Sequence, residues 1–243
     1  MPVAVVLDWA ARVSAVVYAW GPREGWMATP ARELRRPVFA RFYAWVGPRM
    51  EPEGMGDLRD ELLAGVAGRV VEVGAGNGLN FGHYPPQTTE VVAVEPEPYL
   101  RGLATVAAAD ASVAITVTAG VAGQLPFPAG SFDVGVVSLV LCAVDDQRAA
   151  LAELYRVIRP GGQLRFLEHV AAQTPVLRGV QRAADATLWP LIAGGCHTAR
   201  DTLAAIRMVG FEISTLRRLR FPDNRIPVPA APHALGIATR PNS

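Results

Sequence analysis

The sequence predicts an α/β fold: a seven-stranded doubly wound sheet, mostly parallel, with helices on both faces. Three observations predict it. Short β-branched runs alternate with helical segments from residue 69 onward, the pattern of a parallel sheet covered on both sides. Each run is apolar and closed by glycine, proline or an acidic residue, as strands buried on both faces require. The first run passes directly into three alternating glycines ahead of a helix, a junction where bare main chain turns sharply and can approach a ligand.

The 243 residues, set against about 150 per domain, leave room for one domain with an appendage. Residues 1–60 read as an N-terminal helical cap or lid and 61–243 as the α/β domain. Near the start, Val6, Ala10, Val13, Val17 and Trp20 recur at helical spacing and share one face. Asp8 and Arg12 interrupt that stretch and Gly21-Pro22 end it, so no uncharged run reaches the roughly 18 residues of a membrane span. No basic segment precedes it, which argues against a signal peptide. The favoured reading is a helix packed on its own domain; peripheral membrane contact or closure over a substrate is the alternative.

Strands are predicted over residues 69–73, 90–94, 113–118, 132–138 and 163–167, with two final ones over 211–219 and 233–239. Between the fourth and fifth, Leu151, Leu154, Val157 and Ile158 form an apolar stripe with Glu153 and Arg156 outward, and Pro160-Gly161-Gly162 stops the helix. An insertion at about 172–205 mixes Trp189, Pro190, Gly194-Gly195 and Cys196-His197-Thr198. Irregular segments at the carboxyl end of such a sheet shape ligand pockets.

Composition excludes several functions. A formal charge of +1 gives no footprint for gripping polyphosphate, so a nucleic-acid binder is not expected. Every basic side chain in the Lys+Arg count is arginine. Schiff-base chemistry and a P-loop lysine are therefore excluded. The two cysteines, Cys142 and Cys196, are far apart and form no CxxC; each reads as a small apolar side chain. No disulfide framework or metal site is expected, and a reducing, cytoplasmic setting is.

The most informative segment is Val70-Val71-Glu72-Val73-Gly74-Ala75-Gly76-Asn77-Gly78. A dinucleotide dehydrogenase needs a small residue next, and this chain has Leu79. Glu95 ends the second predicted strand, where a carboxylate can accept both hydroxyls of a ribose bound across the first two strands. Together these features resemble the class I S-adenosylmethionine (SAM) methyltransferases. The segments Leu125-Pro126-Phe127-Pro128-Ala129-Gly130-Ser131-Phe132-Asp133 and Leu154-Tyr155-Arg156-Val157-Ile158-Arg159-Pro160-Gly161-Gly162 resemble that family's approaches to its fourth and fifth strands. A narrower likeness runs from about residue 69 to the end. Asn80-Phe81, Tyr84-Pro85, Ser138-Leu139-Val140-Leu141-Cys142-Ala143-Val144, Phe166-Leu167-Glu168-His169-Val170-Ala171-Ala172, Gly195-Cys196-His197-Thr198-Ala199-Arg200 and Pro232-His233-Ala234-Leu235-Gly236 look like the methyltransferase-like family of microsomal alkyl-thiol methyltransferases. That family's hydrophobic anchor is here broken by Asp8 and Arg12.

The resemblance implies a Rossmann-like sheet whose last strand is antiparallel, SAM as cofactor with S-adenosylhomocysteine as product, and a small-molecule acceptor, an aliphatic thiol in the leading reading. O-, N- or C-methylation of a lipid, quinone or secondary metabolite is the alternative, and a non-catalytic SAM-binding module is the reading of another class. Oligomeric state is not legible. The implied cofactor residues are Glu72, Gly74, Gly76, Asn77, Gly78, Glu95, Pro96, Gly120, Val121, Ala122 and Leu139. The loop Ala119-Gly120-Val121-Ala122-Gly123-Gln124 lacks the acidic residue many relatives use for adenine, leaving main-chain groups of Val121 and Ala122, with Gln124 a further candidate. His169 is the first candidate to assist deprotonation of the acceptor, against a role in ordering its loop. His197 either lines the acceptor pocket or caps a helix starting near Thr198. Trp189, Phe39, Phe42 and Tyr43 belong to core or to a lid over the acceptor site.

Overall fold

The computed structural model describes residues 34–223 and 228–242. The apolar helix expected over residues 3–20 lies outside them. The described chain opens with α1 (Pro37–Met50), a π-helical turn over Glu51–Met55, and α2 (Gly56–Leu63). Strands and helices then alternate: β1 (Gly68–Val73), β2 (Thr88–Val94), α3 (Pro98–Ala109), β3 (Ile115–Thr118), β4 (Phe132–Ser138), α4 (Gln147–Val157) and β5 (Ile158–His169). The insertion carries α5 (Pro175–Asp185) and α6 (Trp189–Ile192), and α7 (Thr202–Met208), β6 (Glu212–Arg220) and β7 (Pro232–Thr239) complete the chain.

The seven strands form one sheet in the order β3-β2-β1-β4-β5-β7-β6. β1 to β5 pair in parallel, and β7 inserts antiparallel between β5 and β6. This is the Rossmann-like sheet with an antiparallel last strand that the sequence predicts. Strand order reverses between β1 and β4, and in open α/β sheets ligands bind at such a switch point, outside the carboxyl ends of the strands.

Alternation along the strands splits the core in two. Val71, Val73 and Val137 point to a face covered by Leu151 and Leu154 of α4 and by Leu203 and Ile206 of α7. Val70, Val134 and Val136 point to the other, covered by Leu58, Leu62 and Leu63 of α2 and Ala104 of α3. The predicted stripe on α4 is buried at Leu151, Leu154 and Val157, and Asp146 caps the helix by accepting from Ala149 N at 2.9 Å.

Three strands depart from expectation by two residues or more, β2 by starting early at Thr88. β3 starts at Ile115, two residues late. β5 starts at Ile158 instead of residue 163, because the helix already ends at Val157 and the Pro160-Gly161-Gly162 segment, left-handed at Gly161 (φ 74°), pairs with the chain just past the last strand: Gly161 N donates to Arg240 O at 2.8 Å and Arg240 N to Gly162 O at 2.9 Å. Among the described residues no helix is long and apolar enough to cross a membrane.

Candidate active site

The loop after β1 is forced by close contacts. Gly74 (φ 73°) and Gly78 (φ 83°) have left-handed backbones, and a Cβ on them would come within 2.5 Å of Val140 Cγ2 and 2.8 Å of Phe81 Cδ2 respectively. Only glycine suits such positions. Gly74 N and Ala75 N both donate to Val94 O, at 2.8 and 3.2 Å, so the loop is tied to the end of β2. The side-chain oxygen of Asn77 is buried without a hydrogen-bond partner, an acceptor aimed at a group the protein does not supply.

Glu95 follows β2 and turns toward this loop. It is buried, with Oε2 accepting from Gly76 N at 2.7 Å and Oε1 from Glu97 N at 2.9 Å. Burial pushes its pKa up to about 7, partly countered by those two N–H groups. A carboxylate offers about four lone pairs, so each oxygen keeps one for a diol. Pro96 leads into α3, whose first turn Glu97 caps by accepting from Leu100 N at 2.9 Å. A cradle of left-handed main chain, a facing carboxylate and an orphaned amide oxygen suits a nucleoside ligand.

Glu72 has another immediate task. Its Oε1 accepts from Asn80 Nδ2 at 2.8 Å and its Oε2 from the Tyr84 hydroxyl at 2.6 Å, both buried. Arg59, 3% exposed, donates to Asn80 Oδ1 at 2.6 Å and to Glu51 Oε1 at 3.1 Å. Burial raises the Glu72 pKa; its bonds from Tyr84 and Asn80 and the Arg59 charge oppose that. This chain of buried partners fixes the segment leaving the glycine loop. Sequence reasoning did not find Arg59; an arginine in an amphipathic helix gives no signal that its charge will be enclosed.

Beyond β3, Gly120 packs so that a Cβ would meet Val94 Cγ1 at 2.8 Å, and Gln124 N donates to Val121 O at 3.0 Å. That bond occupies the Val121 carbonyl and closes the turn holding Ala122. After β4, Leu139 adopts φ 60°, rare for a residue with a side chain. The conformation is held from β5: Leu139 N donates to Leu167 O at 2.8 Å, while Glu168 takes the N–H groups of Val140 and Leu141 on one oxygen, both at 2.9 Å, and that of Cys142 on the other at 3.3 Å. Glu168 is fully buried, and burial pushes its pKa up to about 7 against the pull of those N–H groups. It orders the loop, a role the sequence considered only for its neighbour.

His169 ends β5, and its Nδ1 lies 3.3 Å from the sulfur of Cys142 and 3.3 Å from that of Cys196. The two cysteines, separate in the sequence reading, thus share one partner. The Cys196 thiol is held down to about 5, first by the hydrogen bond from Cys142 and further by that of His169 and its charge; the same bond and burial push Cys142 up. The Trp189 indole N–H is buried without a hydrogen-bond partner, and it too draws the Cys196 pKa down. The His233 ring sits 4.5 Å from that of His169, centre to centre, and burial pushes its pKa down to about 3.

His197 lines a cavity of about 630 Å³ with Arg36, Phe39, Ala143, Gly195 and Arg200. Its main-chain N donates to Cys142 O and its Nδ1 to Gly195 O, each at 2.8 Å. It caps no helix, because α7 starts only at Thr202 and Asp201 caps it, accepting from Ala204 N at 3.1 Å. Helix α1 spans both parts of the site. A Cβ on Gly76 would meet Tyr43 Cε1 at 3.0 Å, and one on Gly194 would meet Phe39 Cε1 at 2.6 Å. Tyr43 and Phe39 stack at 5.8 Å, while Phe42 faces outward, half exposed.

Residues 71–166 match the family described as a methyltransferase domain. The chain is 32% identical over 183 residues to thiol S-methyltransferase TMT1A of Homo sapiens, a match covering 73% of this chain and 74% of that protein. It is 35% identical over 183 residues to thiol S-methyltransferase TMT1B of Mus musculus, with 73% and 74% covered. Among solved structures, a SAM-dependent methyltransferase of Thermotoga maritima shares the fold at a TM-score of 0.61 and 20% identity, over 84% of this chain and 98% of that one.

Proposed function

The chain belongs to the SAM-dependent methyltransferases, in the family of the TMT1 thiol S-methyltransferases, and from that premise we propose that its acceptor is a small aliphatic thiol methylated on sulfur. Bound in the crevice, SAM supplies an electrophilic methyl group on a sulfonium. Gly74, Gly76 and Gly78 admit it to the main chain, Asn77 offers its unpartnered oxygen, and Glu95, with Pro96 turning the chain behind it, accepts the ribose hydroxyls. Gly120, Val121 and Ala122 border adenine through main-chain groups, and Glu72 keeps the loop in place through Asn80 and Tyr84. Leu139 flanks the cofactor on the β4 side. Tyr43 and Phe39 close the site from above, and the residues now do what direct displacement asks of a protein: hold nucleophile and methyl in line and exclude water.

The observation that carries the thiol reading is the lining of the acceptor cavity. Its one carboxylate among the described residues, Asp145, is 78% exposed and paired with Arg36 at 3.4 Å. An alcohol needs a poised base to ionise; a thiol of pKa about 8.5 is already a few per cent ionised at neutral pH. The remaining help comes from the group around His169 beside the cavity, while His197 shapes its wall. Two free buried cysteines suit a reducing, cytoplasmic setting. Labelled methyl donor offered with a panel of thiols, alcohols, phenols, amines and quinols tests the proposal. Transfer to alkane thiols is expected, and transfer confined to hydroxyl, amine or carbon acceptors overturns it.

A further inference from the structure

Two sulfurs and an imidazole nitrogen meet at one point beside the acceptor cavity. The donor atoms of Cys142, His169 and Cys196 all lie within 4.8 Å of one another, with His169 Nδ1 3.3 Å from each sulfur. A ring nitrogen carries one proton or one lone pair, so by hydrogen bonding it satisfies one sulfur at a time. A cation would satisfy all three. Metal–sulfur bonds of about 2.3 Å and metal–nitrogen bonds of about 2.0 Å in a tetrahedron place ligand atoms about 3.5–3.8 Å apart, so each nitrogen–sulfur pair needs to open by a few tenths of an ångström and the two sulfurs, within 4.8 Å of one another, to close by about 1 Å at most.

The donor set and its mounting point the same way. Two thiolates and an imidazole are soft to borderline ligands, suited to zinc-class ions and not to magnesium or calcium. The three come from the β4–α4 loop, the end of β5 and the insertion, and each is fixed from outside the cluster. Glu168 anchors the Cys142 main chain, His197 N bonds Cys142 O, and β5 is paired with β7 through His169 opposite His233. Cys142 is 1% and Cys196 5% exposed, and a cation between them is what would let two buried sulfurs ionise side by side.

We propose that Cys142, His169 and Cys196 bind one zinc-class ion whose fourth position receives the sulfur of the acceptor; only this last clause rests on the thiol reading above. Ala143, Gly195 and His197, neighbours of the two cysteines, line the cavity, and Val140, two residues from Cys142, packs against Gly74 of the cofactor loop. The ion therefore stands between acceptor and cofactor sites. Coordination deprotonates a thiol outright, its proton passing to solvent. The thiolate sulfur then forms a bond to the methyl carbon, the carbon–sulfonium bond breaks, and its electron pair stays on the departing sulfur, leaving S-adenosylhomocysteine. The product thioether is neutral and a weak ligand, and it dissociates.

The test uses the whole chain under a phosphine reductant, loaded with Zn²⁺ alone and, separately, Co²⁺ alone, then freed of unbound metal by gel filtration. One ion per chain is expected, with thiolate-to-cobalt charge-transfer bands and tetrahedral d–d bands. Cys142→Ser and Cys196→Ser should each weaken retention at least tenfold while still binding S-adenosylhomocysteine, which certifies their fold; should either fail to fold, the wild-type cobalt spectrum decides. Addition of an alkane thiol should shift the charge-transfer band. No ion retained at micromolar metal, or equal retention after both substitutions, overturns the proposal. A chain that methylates thiols without the ion refutes the site and spares the thiol reading. A chain that holds the ion, ignores thiols in its cobalt spectrum and methylates only other acceptors refutes the fourth ligand together with that reading.

Discussion

The two halves of the site are built differently. On the β1–β2 side the groups we assign to the cofactor come from one contiguous loop and the next strand's end, joined by bonds such as Gly76 N to Glu95 Oε2 at 2.7 Å. On the β4–β5 side Cys142, His169 and Cys196 come from three separate segments, each neighbour 27 residues from the next. The first half is local geometry that any nucleoside-binding α/β sheet must reproduce. The second is assembled by tertiary packing, and that is where acceptor chemistry can differ between relatives of one fold.

The sharpest way to break this division is at the contact where the halves touch. Gly74→Val places a β-branched side chain on a left-handed backbone, costing about 1–2 kcal/mol, and drives it into Val140 from 2.5 Å, costing about 1–3 kcal/mol more. Urea unfolding should show a loss of about 2–5 kcal/mol. The double variant with Val140→Ala should recover the overpacking part and leave the backbone part. Strict additivity would mean the halves do not share this contact.

Next in size is Glu168→Ala, which leaves three main-chain N–H groups of the β4–α4 loop without their acceptor. Each buried orphan costs about 1–3 kcal/mol; with water entering the space, a loss of about 3 kcal/mol is expected. Binding of S-adenosylhomocysteine, followed by calorimetry, should fall far less than methyl transfer does. Equal loss of both would show the cofactor half to depend on the acceptor half.

Legibility in the sequence followed the same division. The sharp turn at Gly74, Gly76 and Gly78 and the Glu95 carboxylate at the next strand's end were legible, because close main-chain approach demands particular residues at adjacent positions. The strand over residues 163–167 was read short, since Pro160-Gly161-Gly162 signals a break locally while its continuation depends on distant pairing, Ile158 with Phe132 and Gly161-Gly162 with Arg240. Glu72 was read as a strand carboxylate for the cofactor; its bonds to Asn80 and Tyr84, backed by Arg59 from α2, were not legible. The cysteines gave no sign of meeting, because spacing carries no information when three loops converge.

Glu95 allows a finer test within the cofactor half. Its folded pKa of about 7 lies above the ordinary 4.5, so between those values the folded state holds more protons than the unfolded one. The Glu95 contribution to the stability of the free protein is then fully present below pH 4.5 and is lost as pH rises through 7. Cofactor binding runs oppositely, since the ionised carboxylate is the better acceptor for a diol. Affinity for S-adenosylhomocysteine should rise from pH 6 to 8, and Glu95→Gln should flatten both profiles. At pH 8 that substitution should weaken binding by about tenfold or more, the worth of hydrogen bonds to a charged group. An unchanged pH profile in the variant would remove Glu95 from the ribose.

The smallest expected effect probes the acceptor half alone. His197 holds its segment through main-chain N to Cys142 O, a bond that His197→Ala retains, so the variant removes the ring from the cavity wall together with its Nδ1 bond to Gly195 O. Losing part of one ring's contact with an apolar acceptor is worth about 1 kcal/mol, or about fivefold in the acceptor's KM. With kcat and S-adenosylhomocysteine affinity unchanged, that pattern marks uniform binding of ground and transition states and leaves proton handling to the cluster around His169. A fall in kcat with KM constant would instead place the His197 ring in the transition state, and the two halves would then be coupled through a residue that touches no cofactor group.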